Sequence, residues 1–518
     1  MSVDQRWKQL GDAFSLMNLE GVEFREYQLN ILRAIAMRGN TLVVLPTGLG
    51  KTFIGIAIMA KALSQGKKAM VLAPTKPLVE QHYSVLEKML GIPKNEILLL
   101  TGSMGKKKRA DLEASARVIV ATPQTVANDL KAGVMTLDGY GAAIFDECHR
   151  AVGKYAYTYV ANECAVRDIL IVGLTASPGG KKERINALVG ALNIRHIEAR
   201  VASDSDVARY VMPKYVHIVN VELSNRVREI ANALKPEMDA SLGTLNSMGL
   251  LRVRGLEYLP KGRLIALGDQ ISRIQADNYR MGAMFSYSKL LNLVHAQDLI
   301  LTEGIYPFSS YIESLYAREK KSRSLESLLK GRGMLLARES ALQARRNGEE
   351  HPKVVAVLDV LKNIKDGKKA IIFAQFRSTI KMLVEYINNN GIRSAPFVGK
   401  KEGVTQEQQK QVVQDFRDGK FDVLVASSIG EEGIDIPGVD SVIFYEPIPN
   451  EIRNIQRRGR TGRFDAGNIY ILVARGTKDQ IYLRVSEQRE MKMLYLVRTI
   501  NAKLDASMPS QGQSTLSK

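Results

Sequence analysis

The sequence predicts an α/β protein in which two doubly wound parallel sheets flank an all-helical insert. Short β-rich runs alternate with helical patterns from residue 41 to about residue 201, and the same alternation returns after residue 352. This alternation is typical of mostly parallel sheets with helices on both faces. Between the two units the strand signal fades after residues 215–223, and long helical patterns such as residues 290–317 take over.

The spacing of these runs predicts the domain boundaries. The β-rich runs are 41–45, 69–73, 97–100, 118–121, 142–145, 169–174, 370–374, 423–426, 441–445 and 469–473. We therefore expect a first α/β domain at 1–203, a helical insert at 204–350, a second domain at 351–500 and a disordered polar tail at 501–518. The insert ends in a basic run, residues 318–346, which is interpreted either as a solvated helix face or as a surface that grips a phosphate backbone.

Composition limits the class of protein. The formal charge of the 518-residue chain is +19, which favours a polyanionic partner, nucleic acid first and an anionic membrane surface second. The alternative is an enzyme that is basic overall but has no polyanionic partner. The only cysteines, Cys148 and Cys164, argue against a disulfide framework and a structural zinc site. The first residues lack an apolar signal region and no apolar run approaches a membrane span. We expect a cytoplasmic, nucleoid-associated protein.

The most informative stretch is residues 45–52, Leu-Pro-Thr-Gly-Leu-Gly-Lys-Thr, between an apolar run and a helical pattern. A strand, a glycine-containing loop and a helix in this order form a phosphate-binding loop. Its lysine would reach the β- and γ-phosphates, and its last hydroxyl would ligate Mg²⁺. The strict pattern has glycine where Leu45 stands, so an ordinary glycine-rich turn is the alternative. The candidate nucleotide-binding residues are Thr47, Gly48, Gly50, Lys51 and Thr52.

A pair of acids follows the apolar run at 142–145 and is the second candidate for catalysis. An acid at the carboxyl end of a strand in a doubly wound sheet lies in the ligand crevice. Asp146 is expected to hold Mg²⁺, directly or through water, and Glu147 to orient and deprotonate the attacking water. Cys148 is interpreted as filler rather than a nucleophile, and His149 as a link between the ATP site and its neighbours.

Arginines in the second α/β unit form the third candidate, within Gln456-Arg-Arg-Gly-Arg-Thr-Gly-Arg463. Guanidinium groups that enter an ATP site from another domain stabilise charge on the transferring phosphoryl group. Arg460 and Arg463 are the candidates for this role, and a solvated basic helix is the alternative. If one unit holds the triphosphate and the other the arginines, ATP binding closes the cleft and hydrolysis opens it.

Taken in order, these motifs resemble those of the superfamily 2 DExH helicases, and most closely those of the archaeal Hef helicases, which are related to the Fanconi anaemia M translocase. The resemblance implies two RecA-like domains around the insert, with ATP and Mg²⁺ as cofactors. It implies that Arg25 and Gln28 belong to an adenine-reading, nucleotide-binding motif with Gln28 on the base, that Asp435 lies near the ribose and that Gln456 takes part in catalysis. The residues that it assigns to nucleic-acid contact or coupling are Pro74, Thr75, Thr101, Gly102, Thr122, Thr175, Ser177, Gln375, Arg377, Ser428 and Gly430.

The resemblance also implies a function: an ATP-driven DNA helicase or translocase that moves 3′ to 5′ on forked or branched DNA, in fork repair or recombination. Cys148 departs from the pattern expected of Hef and matches the double-stranded-RNA sensors and Dicer helicases, so an RNA-stimulated ATPase is one rival. A branched-DNA scaffold with a regulatory ATPase is another. The nuclease box common in Hef proteins does not occur, so any nuclease would act in trans. Residues 513–518 match half of a sliding-clamp peptide.

Overall fold

The computed structural model describes residues 15–20, 25–46, 48–102, 104–153, 156–201, 204–210, 214–256, 259, 261–364, 368–399, 405–427, 439–447 and 467–507. Within these residues the predicted fold class is confirmed. Two parallel sheets are present, and a helical region lies between them in sequence.

The first sheet has seven strands in the described part of the chain, in the order β3-β4-β2-β5-β6-β1-β7. The strands are β1 (Thr41–Val44), β2 (Lys68–Leu72), β3 (Ile97–Leu100), β4 (Val118–Ala121), β5 (Tyr140–Phe145), β6 (Leu170–Thr175) and β7 (His196–Ala199). All neighbouring strands run parallel. The sequence predicted six of these strands but not β7, whose His-Ile-Glu-Ala segment has a weak apolar pattern.

Helices cover both faces of this sheet. They are α1 (Glu26–Arg38), α2 (Lys51–Ser64), α3 (Lys76–Met89), α4 (Lys106–Ser115), α5 (Pro123–Lys131), α6 (Ala156–Val166) and α7 (Lys182–Ala191). Successive strand residues enter opposite hydrophobic clusters, as Val43 does on one face and Leu42 on the other. This is the two-sided burial expected of a parallel sheet between two helical layers.

The insert is helical, as predicted. Its helices are α8 (Asn225–Ser247), α9 (Lys261–Ser272), α10 (Asp277–Asp298), α11 (Ile305–Tyr316), α12 (Arg323–Leu329) and α13 (Arg332–Arg346). The helical pattern predicted at 290–317 is interrupted between α10 and α11 by a π turn, Leu299–Glu303, and by Gly304, whose φ is 140°. Pro307 explains the break, because it cannot donate to the carbonyl four residues earlier and its ring would clash there.

The second sheet has six described strands in the order β10-β11-β9-β12-β13-β8. The strands are β8 (Lys214–Val221), β9 (Ala370–Phe373), β10 (Ser394–Phe397), β11 (Val423–Ala426), β12 (Ser441–Phe444) and β13 (Gly467–Ala474), and the helices are α14 (Pro352–Lys362), α15 (Arg377–Asn389), α16 (Gln406–Arg417) and α17 (Lys478–Ser507). Strand β8 precedes the insert in sequence but pairs with β13 over eight residues. The segment assigned to 204–350 therefore contributes an edge strand to the second sheet.

One buried place at which the insert is attached to the second unit is called the insert joint. Three successive carbonyls of the π turn accept hydrogen bonds from the second unit: Leu301 from His351 Nε2 (3.2 Å), Thr302 from Lys353 Nζ (2.8 Å) and Glu303 from Tyr445 Oη (2.6 Å). Lys353 also pairs with Asp479 at 3.0 Å, and both side chains are almost wholly buried. These bonds satisfy carbonyls that a helix end leaves without partners.

The Glu303 side chain also belongs to the insert joint. Its Oε2 accepts a hydrogen bond from Thr379 Oγ1 at 2.9 Å, in the first turn of α15. Burial raises the pKa of the Glu303 carboxyl to about 7, although the Lys353 charge opposes the shift. The insert joint thus holds a buried acid that ionises only near neutral pH, and burial makes its ionised form costly.

Helix α17 joins the two units, because it starts after β13 and ends against the first sheet. Met493, Val497 and Ile500 are buried in a cluster of the first unit. The predicted tail at 501–518 is corrected here, since α17 continues to Ser507. The first unit supplies the contacts that order this end, because the Asn501 side-chain oxygen accepts a hydrogen bond from Ile197 N at 2.7 Å.

Strand β7 also holds α17 through a buried histidine. His196 Nδ1 lies 2.8 Å from Asp505 on α17, and its Nε2 lies 2.7 Å from Glu198. Burial would lower the pKa of His196, but the hydrogen bonds to the two carboxylates raise it. The imidazole therefore favours the protonated form, in which both nitrogens donate.

Replacing Glu303 by glutamine should stabilise the protein more at about pH 8 than at about pH 5.5. The folded pKa of about 7 lies above the ordinary 4.5, so stability falls as pH rises between these values. Glutamine removes the charge that would be buried above this range. We expect the difference in unfolding free energy between variant and wild type to grow by on the order of 1 kcal/mol, measured as thermal midpoints at both pH values.

Glu339→Gln, on an exposed position of α13, is the matched control and should leave the pH profile of stability unchanged. Equal stability differences for Glu303→Gln at the two pH values would show that Glu303 does not titrate in this range.

Candidate active site

The loop after β1 has the backbone of a phosphate-binding turn. Gly48 and Gly50 have φ values of 88° and 73°, which residues with a Cβ rarely adopt. Gly50 caps α2, so the free N–H groups of the first helical turn face the loop. Thr52 lies in that first turn. Thr47 lies outside the described residues.

Lys51 shares its surroundings with the acids that follow β5. Its Nζ donates to Leu45 O across the loop at 2.9 Å. Burial lowers the pKa of the Lys51 ammonium, and the neighbouring carboxylates of Glu147 and Asp146 oppose this shift. The structure therefore brings together a lysine and two acids that are 95 or more residues apart in the sequence.

Asp146 is a buried carboxylate with its own hydrogen-bonding support. His82 Nε2, on α3, donates to Asp146 Oδ2 at 2.8 Å. Burial alone would raise the pKa of Asp146, but the His82 hydrogen bond and the Lys51 charge hold it below its ordinary value. Tyr157 Oη donates to the backbone carbonyl of Asp146 at 2.6 Å. The carboxylate is thereby kept ionised and oriented.

Glu147 has an unusual backbone and an unsatisfied side chain. Its φ of 47° places a residue with a Cβ in the left-handed region, a conformation that concentrates at functional sites. Its Oε2 is buried without a hydrogen bond, 3.3 Å from His149 Nδ1. A buried carboxylate oxygen without a donor is costly unless a ligand or water satisfies it. This oxygen is therefore suited to accept a proton.

The residue between the acids and His149 is structural. Cys148 is fully buried, and burial raises the pKa of its thiol well above the ordinary value. A thiol held in the neutral form is a poor nucleophile. The geometry agrees with the interpretation of Cys148 as filler.

Helix α1 holds the phosphate-binding loop from the other side. Tyr27 Oη and Gln28 Nε2 both donate to Leu49 O, at 2.7 and 3.3 Å. The Gln28 oxygen accepts from Arg25 N at 3.1 Å. A Cβ at Gly50 would lie 2.3 Å from Gln28 Nε2. The predicted adenine-contact motif is therefore in direct contact with the loop.

The predicted nucleic-acid residues of the first unit lie after the carboxyl ends of strands. Pro74 and Thr75 follow β2, and Thr75 is the N-cap of α3 with a buried Oγ1 that makes no hydrogen bond. Thr101 and Gly102 follow β3. Thr122 follows β4 and caps α5, accepting from its third residue. Since neighbouring strands are parallel, these residues share one edge of the sheet.

Thr175 and Ser177, the predicted coupling pair, lie between the ATP-site residues and α17. Thr175 Oγ1 lies 3.1 Å from His149 Nδ1, and the same oxygen accepts from Ser177 N. Ser177 Oγ contacts Met493 Sδ. The interpretation of His149 as a link is supported by its contacts with both Glu147 and Thr175.

The second unit is only partly described at the predicted site. Gln375 and Arg377 follow β9 and are exposed. The other predicted residues of this unit lie outside the described residues, namely Ser428, Gly430, Asp435, Gln456, Arg460 and Arg463. Their roles, like that of Thr47, stay predictions.

Sequence reasoning missed His82, Tyr157 and Tyr27. His82 was detectable in principle, since it follows Thr75 by seven residues and two helical turns bring such residues to the same face. The partners of Tyr157 and Tyr27 are backbone carbonyls, which carry no residue-specific signal. Only the folded structure identifies them.

The donor set fits a hard cation bound together with a triphosphate. Mg²⁺ prefers one or two carboxylates plus phosphate and water oxygens, and Asp146 with the Thr52 hydroxyl matches this pattern. Within the described ranges no cluster of three histidine, cysteine or acidic side chains suited to a metal was found. None of the helices in those ranges combines the length and apolar character needed to span a membrane.

Two family models match the chain. Residues 21–180 match the family described as type III restriction enzyme, res subunit, and residues 352–465 match the helicase conserved C-terminal domain. Each match falls on one of the two α/β units.

The chain is similar to longer relatives and to a solved structure. It is 35% identical over 489 residues to a Methanocaldococcus jannaschii protein that bears the name of an ATP-dependent RNA helicase, covering 92% of this chain and 61% of the relative. It is 30% identical over 496 residues to the ATP-dependent DNA helicase fml1 of Schizosaccharomyces pombe, covering 90% and 59%. The chain thus spans about 60% of the length of each of these relatives.

The crystal structure of the Pyrococcus furiosus Hef helicase domain matches with a TM-score of 0.73 and 37% identity. The match covers 91% of this chain and all of the Hef domain.

Gly50→Ala should weaken nucleotide binding. The added methyl group would collide with the Gln28 amide and would have to adopt a φ of 73°. We expect the affinity for a fluorescent ATP analogue to fall by at least roughly tenfold, since the strain costs on the order of 1–2 kcal/mol. Gly66→Ala has a similar φ of 73° but no neighbour within 4 Å. It should lower stability without changing nucleotide affinity, whereas equal losses in both variants would contradict a specific role for the Gly50 contact.

Proposed function

The chain belongs to the superfamily 2 helicases of the Hef helicase domain type, and on this basis we propose that it is a DNA helicase that moves 3′ to 5′ along forked or branched DNA. ATP hydrolysis drives the movement. The observation that carries the proposal is the buried Glu147 Oε2, which makes no hydrogen bond and lies beside Lys51 and Asp146.

Each residue around the loop has a role in this proposal. Gln28 contacts the adenine with Arg25 in the same nucleotide-binding motif, while the loop glycines and Lys51 hold the phosphates. Thr52 and Asp146 would hold Mg²⁺, which would neutralise charge on the phosphate oxygens when bound. Lys51 can release Leu45 O to reach the β- and γ-phosphates.

Glu147 orients the attacking water and accepts its proton. Its left-handed backbone fixes the direction of the carboxylate, and its Oε2 has no competing hydrogen bond. General-base catalysis of this kind contributes roughly 10²–10⁴-fold to a rate. Arg460 and Arg463 would supply positive charge from the second unit, Gln456 would assist them, and Asp435 would bind the ribose.

Nucleic acid would bind across the edge where Thr75, Thr101, Gly102 and Thr122 lie. Two of these residues cap helices, and helix N-termini bind phosphate oxygens through their free N–H groups. Pro74 lies at the same edge.

The second unit would bind the same strand. The segments of this unit that would contact it contain Gln375, Arg377, Ser428 and Gly430. Contacts to phosphates make binding salt-dependent and only weakly dependent on base sequence.

RNA is the rival substrate, because the Methanocaldococcus jannaschii relative bears an RNA helicase name. Double-stranded RNA would then stimulate the ATPase more than forked DNA. A cytoplasmic location, a nuclease that acts in trans and sliding-clamp binding through residues 513–518 remain predictions from the sequence, and the clamp-like segment lies outside the described residues.

Glu147→Gln should abolish ATP hydrolysis while ATP binding persists. Glutamine keeps the size of the side chain but cannot accept the proton, so turnover should fall by roughly 10²–10⁴-fold. Turnover is measured by phosphate release and binding by a fluorescent ATP analogue. Glu183→Gln, an exposed change on α7, is the control and should keep wild-type turnover. Near wild-type turnover in Glu147→Gln would refute the mechanism.

Forked DNA should stimulate the ATPase of the wild-type protein more than blunt duplex DNA or double-stranded RNA of equal length. The fork presents both a single strand for the phosphate-binding edge and a junction. ATPase rates and strand displacement are measured on the same substrates. A preference for RNA would replace the DNA proposal, and hydrolysis without displacement or branch movement would favour a scaffold.

A further inference from the structure

Helix α3 has a polar side chain at its N-terminus that lacks a partner. Thr75 is the N-cap, yet its side chain makes no capping hydrogen bond, and its Oγ1 is buried without any partner. The N–H groups of the first turn, in which Pro77 has none, and this hydroxyl are suited to bind an anionic ligand such as a phosphate oxygen. Under the proposed function, that phosphate belongs to a nucleic-acid strand.

The same helix contacts the ATP site two turns further on. His82 is 7% exposed and donates to Asp146 Oδ2 at 2.8 Å. Seven residues of α-helix separate His82 from Thr75, which corresponds to about 10 Å along the axis. One short helix therefore carries both an unpartnered hydroxyl and the hydrogen-bond donor to a catalytic carboxylate.

Packing makes α3 a stiff element between these two ends. Val79 and Leu86 flank His82 on the same face, are each 1% exposed and belong to the hydrophobic core of the first unit. A well-packed helix shifts as a unit rather than bending locally. A displacement at Thr75 would therefore also move His82.

The second unit also touches α3. Lys410 Nζ on α16 donates to Glu80 Oε2 at 3.0 Å. The lysine side chain is 62% exposed, so this pair adds little to stability. It nevertheless shows that α3 lies where the two units meet.

We propose that His82 is a positioning residue through which nucleic-acid binding at Thr75 controls the orientation of Asp146. The inference rests on the proposed function. A phosphate bound at the N-terminus of α3 favours one position of the helix, and His82 carries this preference to the carboxylate. The coupling is reciprocal, so bound nucleotide must change the affinity for the strand by the same factor.

The test is the coupling factor between the two ligands, and it requires no turnover. The dissociation constant of a mixed-sequence single-stranded DNA is measured with and without a non-hydrolysable ATP analogue and Mg²⁺. We expect the two values for wild type to differ by roughly 5–150-fold, the usual range for coupled sites. His82→Phe keeps a planar aromatic ring, although a larger one, and removes the hydrogen bond, so it should bring this ratio close to one.

Three further variants separate coupling from general damage. His82→Gln can still donate to Asp146 and should restore most of the ratio, whereas His82→Asn is too short to reach it and should not. Gln81→Ala, the exposed neighbour on α3, is the matched control and should behave as wild type. Thr75→Val should lower the ratio, and adding His82→Phe to it should cause no further loss.

Wild-type binding tests the proposed function, and the His82 variants test the role of His82. If wild type binds no nucleic acid, or binds it without any influence of nucleotide, the proposed function fails. If wild type couples the ligands and both His82→Phe and His82→Asn couple them equally well, the role of His82 is overturned. Circular dichroism melts verify folding, and the Gln and Asn pair decides the question if His82→Phe does not fold.

Discussion

The parallel register of the first sheet is the constraint on which the active site depends. Val44 pairs with Thr175, and Leu45 N continues this ladder by donating to Thr175 O at 3.1 Å. Asp146 N likewise donates to Leu72 O at 2.9 Å. Because the carboxyl ends of all these strands meet at one edge, the segments that leave them are forced together. Residues far apart in sequence thereby become neighbours without long connecting loops.

The sequence could predict the parts of this arrangement that have local signatures. Lys51 follows a strand and a glycine-containing loop, and Asp146 ends an apolar strand, so both are visible in short windows. Strand β10 could not be predicted from a short window, because its sequence Ser-Ala-Pro-Phe includes a proline that only an edge strand tolerates. His82 depends on how α3 rests on the sheet, and the end of α17 is ordered only by contacts with β7. These features follow from tertiary packing rather than from residue patterns.

The insert joint shows how a helix end can fix one unit to another. A π turn leaves carbonyls without intrahelical partners, and the second unit supplies a lysine, a histidine and a tyrosine to satisfy them. The buried Lys353–Asp479 pair would leave an uncompensated charge if either partner were removed. The insert is consequently held by directed bonds in addition to apolar contact, and it must follow the second unit when that unit moves.

The position of β8 has a consequence for how the chain acquires its structure. Lys214 of β8 pairs with Gly467 of β13, so this edge of the second sheet cannot form until more than 250 residues have been added during synthesis. Such non-local pairing slows folding, since the closure of a long loop must precede the contacts that stabilise it. The insert shortens the effective loop, because its helices are local structures that can form first. The helical region that separates the two units in sequence therefore also brings the ends of the second sheet within reach of each other.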